Sequence, residues 1–234
     1  MDKKITIPII IIIIAAVICS TYYYTNIYNC NTTNITSTDH WENENGTVTK
    51  FILGNNTSDT ELVLIAGIHP RETLAIEPEI EAARQFSESH DVKFIVYQVN
   101  VTKNPIEYQP SRDQGEGLVH DFVVPDINNT NAGAVIISHS HIESYGEGYY
   151  LATPEMDNAS ANISETITNS SDFGYYPRNT SQPVEATSAI LVSKPIASAG
   201  YPTFVYEIPE NITEQNSTNK TFELFELMYN IVKK

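Results

Sequence analysis

Two things are scarce in this sequence: cysteine and basic residues. Only Cys19 and Cys30 occur among 234 residues, so a disulfide framework cannot hold the fold and a hydrophobic core must do so. Thirteen Lys and Arg stand against 29 Asp and Glu, for a formal net charge of −16. That balance repels nucleic-acid backbones and favours solubility, which argues against a nucleic-acid partner. No internal repeat is visible. The length suits one compact domain plus an anchor, and a second full domain is not expected.

What is present begins with a membrane signal. Lys3 and Lys4 precede a run from Ile5 to Cys19 that is almost free of polar residues. Roughly 15 apolar residues are short for a span, but Ser20, Thr21 and Tyr22 to Tyr24 extend the segment to about 20, with the tyrosines at the interface. Residues 1–24 are therefore expected to anchor the chain, single-pass, with the lysines in the cytoplasm and the remainder outside the cell. A cleaved signal peptide is the alternative, and it would release a secreted protein. No small-x-small cleavage site follows the run, and Ile18 stands before Cys19 where a lipoprotein signal has a small residue.

Asn-x-Ser/Thr sequons begin at Asn31, Asn34, Asn45, Asn55, Asn56, Asn100, Asn128, Asn158, Asn162, Asn169, Asn179, Asn211, Asn216 and Asn219. Their density suggests an N-glycosylated surface protein, although a composition rich in Asn and Thr also generates sequons by chance.

Residues 25–45 are polar and lack periodic apolar positions, which reads as a stalk. The domain is then expected to run from Gly46 to residue 234. Thr47 to Leu53 alternates like an edge strand, and Glu61 to His69 is a continuous apolar run of the kind buried in parallel sheets. Pro78 to Ser87 predicts a helix with Ile80, Ala83 and Phe86 on one face. Further strands are predicted at Lys93–Val101, Ala134–His139, Gly148–Ala152 and Pro202–Pro209. Met156 to Gln182 shows no clear pattern. Helices are predicted at Pro183–Ala197 and Thr221–Lys233, the last with Phe222, Phe225, Met228 and Ile231 on a shared face. Strands alternating with helices imply an α/β fold with a mostly parallel or mixed central sheet flanked by helices. In that architecture sites gather at the carboxyl ends of strands.

His69-Pro70-Arg71-Glu72 follows one such strand directly. A His and a carboxylate three residues apart can turn toward one ion, and catalytic zinc sites commonly use two imidazoles and one carboxylate with a position left for water. The spacing alone occurs often by chance. With its preceding apolar strand, however, Gly67-Ile-His-Pro-Arg-Glu-Thr73 resembles the zinc motif of the M14 metallocarboxypeptidases and the related succinylglutamate desuccinylase and aspartoacylase group.

The resemblance implies a zinc carboxypeptidase-like fold, a Zn2+ cofactor, and a substrate that is a peptide or an acylated amino acid. It implies His69 and Glu72 as metal ligands and a third ligand from a later strand end, where Val135-Ile-Ile-Ser-His139-Ser140 fits. His141 competes for that role, since it lies two residues on and faces the same side of the strand. His139 is closer to the apolar run and is followed by Ser. The family also implies a Glu that activates the attacking water, and Thr203-Phe-Val-Tyr-Glu207 resembles its strand. Asn104-Pro105 and Arg112 match, in order, the positions from which the family binds substrate. An Arg there could hold a carboxylate or stabilise an oxyanion. Arg71 could reach substrate or form a structural ion pair. Tyr175 and Tyr176 lie near the family's substrate-capping region but are not assigned to the site.

The chain also departs from the pattern. No Asn-Arg pair for gripping a terminal carboxylate is evident, only about 67 positions separate Glu72 from His139, and Ile137 stands where an Asp commonly precedes the third ligand. These readings favour zinc-dependent hydrolysis of a peptide or amide bond outside the cell. A deacylase of N-acyl amino acids and a non-catalytic surface glycoprotein of the same fold are the alternatives.

Overall fold

The computed structural model describes residues 35, 37–183 and 186–234. The expected anchor at 1–24 and most of the expected stalk lie outside these residues. Among the described residues, no helix is long and apolar enough to cross a membrane.

Eight strands form one sheet: β1 (Ser37–Asn43), β2 (Gly46–Gly54), β3 (Glu61–Ala66), β4 (Lys93–Val101), β5 (Ala134–His141), β6 (Tyr150–Thr153), β7 (Gly174–Pro177) and β8 (Thr203–Pro209). Their spatial order is β1-β2-β4-β3-β5-β8-β6-β7. The centre, β4-β3-β5-β8, is parallel. Antiparallel pairs join β1 to β2, β2 to β4 and β6 to β8, which makes the sheet mixed. Among the described residues, six α-helices accompany it: α1 (Glu77–Ser89), α2 (Tyr108–Leu118), α3 (Val124–Ile127), α4 (Asn158–Ser170), α5 (Lys194–Ser198) and α6 (Glu214–Val232).

Every residue of β3 is buried, as a continuous apolar run requires when helices cover both faces of a parallel sheet. Successive side chains point to opposite sides. On one side Leu62, Leu64, Phe94, Val96, Ala134 and Ile136 pack with Ile80, Ala83 and Phe86 of α1 and Leu224, Phe225 and Met228 of α6. On the other, Val63, Ile65, Ile95, Tyr97, Val135 and Ile137 pack with Leu118 of α2, Val119 and Val123 beyond it, and Ile196 of α5. Each fully buried side chain of this size contributes about 1.5–3 kcal/mol.

Several expectations need correction. The segment Ser37–Asn43, expected within the stalk, is strand β1 and pairs with β2 along its length. Polar side chains dominate it because it lies at the sheet edge, where Trp41 is its contact with the core. The folded unit spans Ile35–Lys234, so it begins before Gly46, and β2 is an interior strand. The stretch before β5, where no helix was expected, holds α2, a π turn at Val119–Val123 and α3. Pro110, Gly115 and Gly117 obscure that helix in the sequence. Pro125 lies just past this π turn and Pro195 just past a second one at Ala189–Ser193. A proline lacks the N–H that would continue an α-helical ladder, and a wider turn absorbs the loss. The patternless stretch 156–182 holds α4, capped by Asp157 Oδ1 accepting from Ser160 N at 2.8 Å, and β7. Finally, α6 starts seven residues before Thr221, and its buried stripe is Ser217, Thr218, Thr221, Leu224, Phe225 and Met228. Ile231 is 38% exposed, because steps of three residues drift about 60° per step around a helix of 3.6 residues per turn.

Candidate metal centre

Strand register assembles the centre. Gly67 ends β3 with φ at +86°, and a Cβ there would lie 2.3 Å from the Val99 carbonyl oxygen. Only glycine permits both the left-handed turn and that approach, and the turn delivers His69 above the sheet. Glu72 N donates to the His69 carbonyl at 3.0 Å, which folds the carboxylate back toward the imidazole. His139 comes from β5, beside β3, and Glu207 on β8 is its partner in the parallel register.

His69 Nδ1 lies 2.8 Å from Glu72 Oε1 and 3.0 Å from His139 Nδ1. His139 Nδ1 is 2.9 Å from Glu72 Oε2. One atom of each of the three residues thus falls within 4.8 Å of the others. Two imidazoles and one carboxylate converging on a point match the donor set of a metal site with a position left open. His69 and His139 are 2% and 6% exposed. His141 does not join them. Its ring nitrogens face the carbonyl oxygens of Ile142 at 3.1 Å and Gly148 at 2.9 Å.

Arg112 projects from α2 and donates from Nη1 to Glu72 Oε1 at 2.7 Å. Its guanidinium and that of Arg71 each lie 5.5 Å from the Tyr108 ring centroid. Asn104 is placed differently. It is exposed, takes a φ of +51° in the turn before α2, and does not line the central cavity. Tyr175 and Tyr176 also lie away from that cavity.

The electrostatics reflect crowding of charge in a dry place. Burial alone would raise the Glu72 carboxyl, but the charges and hydrogen bonds of His139 and His69 hold it well below the usual carboxylate range. Burial opposes protonation of His69, yet hydrogen bonds to Glu116 and Glu72 outweigh it and raise the imidazole. Glu207 has no such bond. Burial lifts its carboxyl to about 7, with His139 opposing and Glu72 adding to the rise.

A cavity of about 440 Å³ opens over this cluster and is lined by His69, Glu72, Arg112, His139 and Glu207, with Tyr145 and Glu210 among its other walls. Sequence reasoning missed Glu116, whose Oε1 is 3.1 Å from His69 Nε2. The available signal was the stripe Arg112, Gly115, Glu116, Val119 and Val123 at helical spacing.

No family model matches the chain, and no curated protein matches it by sequence. Solved structures do. A metallo-carboxypeptidase from Burkholderia cenocepacia matches with a TM-score of 0.55 and 14% identity, over 85% of this chain and 65% of that one. The fold is that of the metallo-carboxypeptidases. A protein from Shewanella denitrificans provisionally named carboxypeptidase A matches with a TM-score of 0.58 and 14% identity, over 88% of this chain and 68% of the other. A provisionally named metallopeptidase from the same organism matches with a TM-score of 0.53 and 10% identity, over 92% and 90% of the two chains. This chain spans less than two thirds of the length of the Burkholderia carboxypeptidase.

Proposed function

We propose that this domain is a zinc-dependent hydrolase of peptide or amide bonds, carboxypeptidase-like and acting outside the cell. The observation that carries this reading is the convergence of His69, Glu72 and His139 with an uncommitted carboxylate, Glu207, on the neighbouring strand. Two imidazoles and a carboxylate suit zinc among the common divalent ions. When bound, the ion supplies Lewis acidity toward a scissile carbonyl and makes water acidic enough to ionise near neutral pH.

The protein's own groups supply the rest. Glu207, held near 7 by burial, is poised to take a proton from water and return it to the leaving nitrogen. Arg112, at the cavity wall, offers donors for a substrate carboxylate or a developing oxyanion. Arg71, beside Tyr108, is a second candidate for the substrate carboxylate. The cavity's volume of about 440 Å³ suits a small ligand. That size also supports the second reading, a deacylase of N-acyl amino acids.

The external location rests on the apolar run Ile5–Cys19, read as a single-pass anchor, and on the sequons. Of the twelve sequon asparagines among the described residues, eleven are exposed and Asn45 is half-buried, which supports a glycosylated surface. Protease added to intact cells should remove the domain, and a protein released to the medium would overturn the anchor.

Metal analysis of the purified full-length protein tests the central claim. We expect one zinc ion per chain, abolished by His69→Ala. Correctly folded wild type that takes up no zinc would overturn the reading.

A further inference from the structure

The carboxylates on the cavity wall are not equally engaged. Glu72 is taken up by His69, His139 and Arg112, and Glu207 is the buried group proposed as the base. Glu210 differs from both. It lines the same cavity and is exposed to solvent. Among the described residues no Lys, Arg or His pairs with it, and its one side-chain hydrogen bond comes from Ser140 Oγ to Oε1 at 3.3 Å, which is long for a hydroxyl donor. A cationic donor on a ligand would make a shorter and stronger bond there than the serine does.

The sheet fixes its position. Glu210 directly follows β8, and its N–H donates to the His141 carbonyl at 2.9 Å, so the pairing of β5 with β8 extends one residue past the strand. Ser140 joins Glu210 to the candidate metal centre, since its N–H donates to Glu72 Oε2 at 3.3 Å while its hydroxyl reaches Glu210. Ser140 and His141 are both buried, which gives the exposed carboxylate a firm base.

A charge of the opposite sign stands across β5. Arg71, in the turn after β3, touches the Tyr108 ring, and among the described residues no carboxylate pairs with it. Strands β3 and β8 flank β5, and adjacent strands lie about 4.8 Å apart, so the two charged segments are separated by roughly 10 Å. An extended dipeptide spans about 7 Å, a gap that long side chains can close. The cavity is therefore dipolar, positive beyond β3 and negative beyond β8, with His139 between. We propose that Glu210 is a substrate-binding residue that receives an ammonium group, so that the site takes short peptides bearing a free amine. This deepens the hydrolase reading and rests on it. It also divides the two substrate classes considered above, because an N-acyl amino acid has no ammonium at its acylated nitrogen. An α-amino group and a lysine side chain both offer the required donors.

Calorimetric binding to the zinc-loaded full-length protein tests the assignment with three peptides: alanyl-alanine, acetyl-alanyl-alanine and acetyl-lysyl-alanine. Each is made uncleavable by a ketomethylene group in place of the scissile amide. Wild type should bind at least one ammonium-bearing peptide about fivefold to tenfold more tightly than acetyl-alanyl-alanine, between the worth of an exposed ion pair and that of a charge-assisted hydrogen bond. Preference for alanyl-alanine assigns the α-amino group, and preference for acetyl-lysyl-alanine alone assigns the side chain. Glu210→Gln keeps the size, removes the charge and should bind all three alike. Zinc content is measured alongside, so that peptide binding is compared at full metal loading. Equal binding of the three by wild type, binding of none, or a preference that survives in Glu210→Gln overturns the assignment. Wild type that takes up no zinc overturns the centre and the assignment together. The hydrolase reading fails separately: the expected preference, with the corresponding amide peptides left uncleaved, supports Glu210 as an ammonium site and removes only the hydrolysis.

Discussion

Along β5, Ala134 and Ile136 pack on the face covered by α1 and α6, while Val135 and Ile137 pack on the face covered by α2. To that point the two faces are alike. Beyond Ile137 they diverge, because His139 continues the α2 side by alternation and meets His69 and Glu72 there, with Glu116 behind His69. The α2 side therefore buries ionisable groups and gives most of them partners. On the α1 side Glu79 is fully buried, and neither of its oxygens has a hydrogen-bond partner. Burial pushes its carboxyl up to about 8, more than the Ser138 hydroxyl beside it offsets, and the charge of Glu207 adds to the rise. Burying a charge and burying a hydrocarbon are different physical problems, and the contrast between the faces shows where each was solved.

The comparison can be sharpened most strongly on the α2 side. Glu207→Gln keeps the size of the side chain and removes its basicity. Zinc content and thermal stability should stay near wild type while hydrolysis falls by about a hundredfold to ten-thousandfold. Loss of zinc from this variant would mean that Glu207 binds the metal, and unchanged turnover would mean that another group is the base.

The α1 side should respond in the opposite manner. Phe225 is fully buried, with its ring centroid 4.8 Å from that of Phe94 and 6.0 Å from that of Phe86. Phe225→Ala should cost about 3–5 kcal/mol in denaturant unfolding and leave the zinc affinity of the folded fraction unchanged. A large loss of affinity would show that the two faces are not separable.

A third test concerns pH. The Glu79 carboxyl is raised from 4.5 to about 8, so between those values the folded protein keeps a proton that the unfolded chain releases. Its contribution to stability is complete below 4.5 and is lost progressively as pH rises toward 8, by an amount on the order of a few kcal/mol. Unfolding midpoints of Glu79→Gln should vary less between pH 5 and 8 than those of wild type, with the interval set by the same linkage. Parallel pH profiles for the two proteins would show that Glu79 does not carry the effect.

Strands β3, β4, β5 and β8 and helix α1 were legible because each carries its own pattern, an apolar run or a helical stripe, within a dozen residues. The strand end that carries His69 and Glu72 was legible for the same reason, since both the strand and the spacing are local. Strand β1 was not, because an edge strand buries little and needs no apolar alternation; its partner β2 defines it. Helix α2 was hidden by Pro110, Gly115 and Gly117, and Glu116 and the pairing of Arg112 with Glu72 were hidden with it.

By itself the sequence determined the parallel core and the placement of an HxxE motif at a strand end, both consequences of short-range chain geometry. The third member of the candidate metal centre was another matter. His139 and His141 share a face of β5 and are alike in local pattern, and only the assembled site separates them. His139 lies beside β3 and its turn, while His141 meets the Gly148 carbonyl. Tertiary structure also set His69 Nε2 against Glu116, 47 positions away. Such contacts depend on sheet register and on how closely a helix can approach, and neither is encoded by the spacing of neighbouring residues.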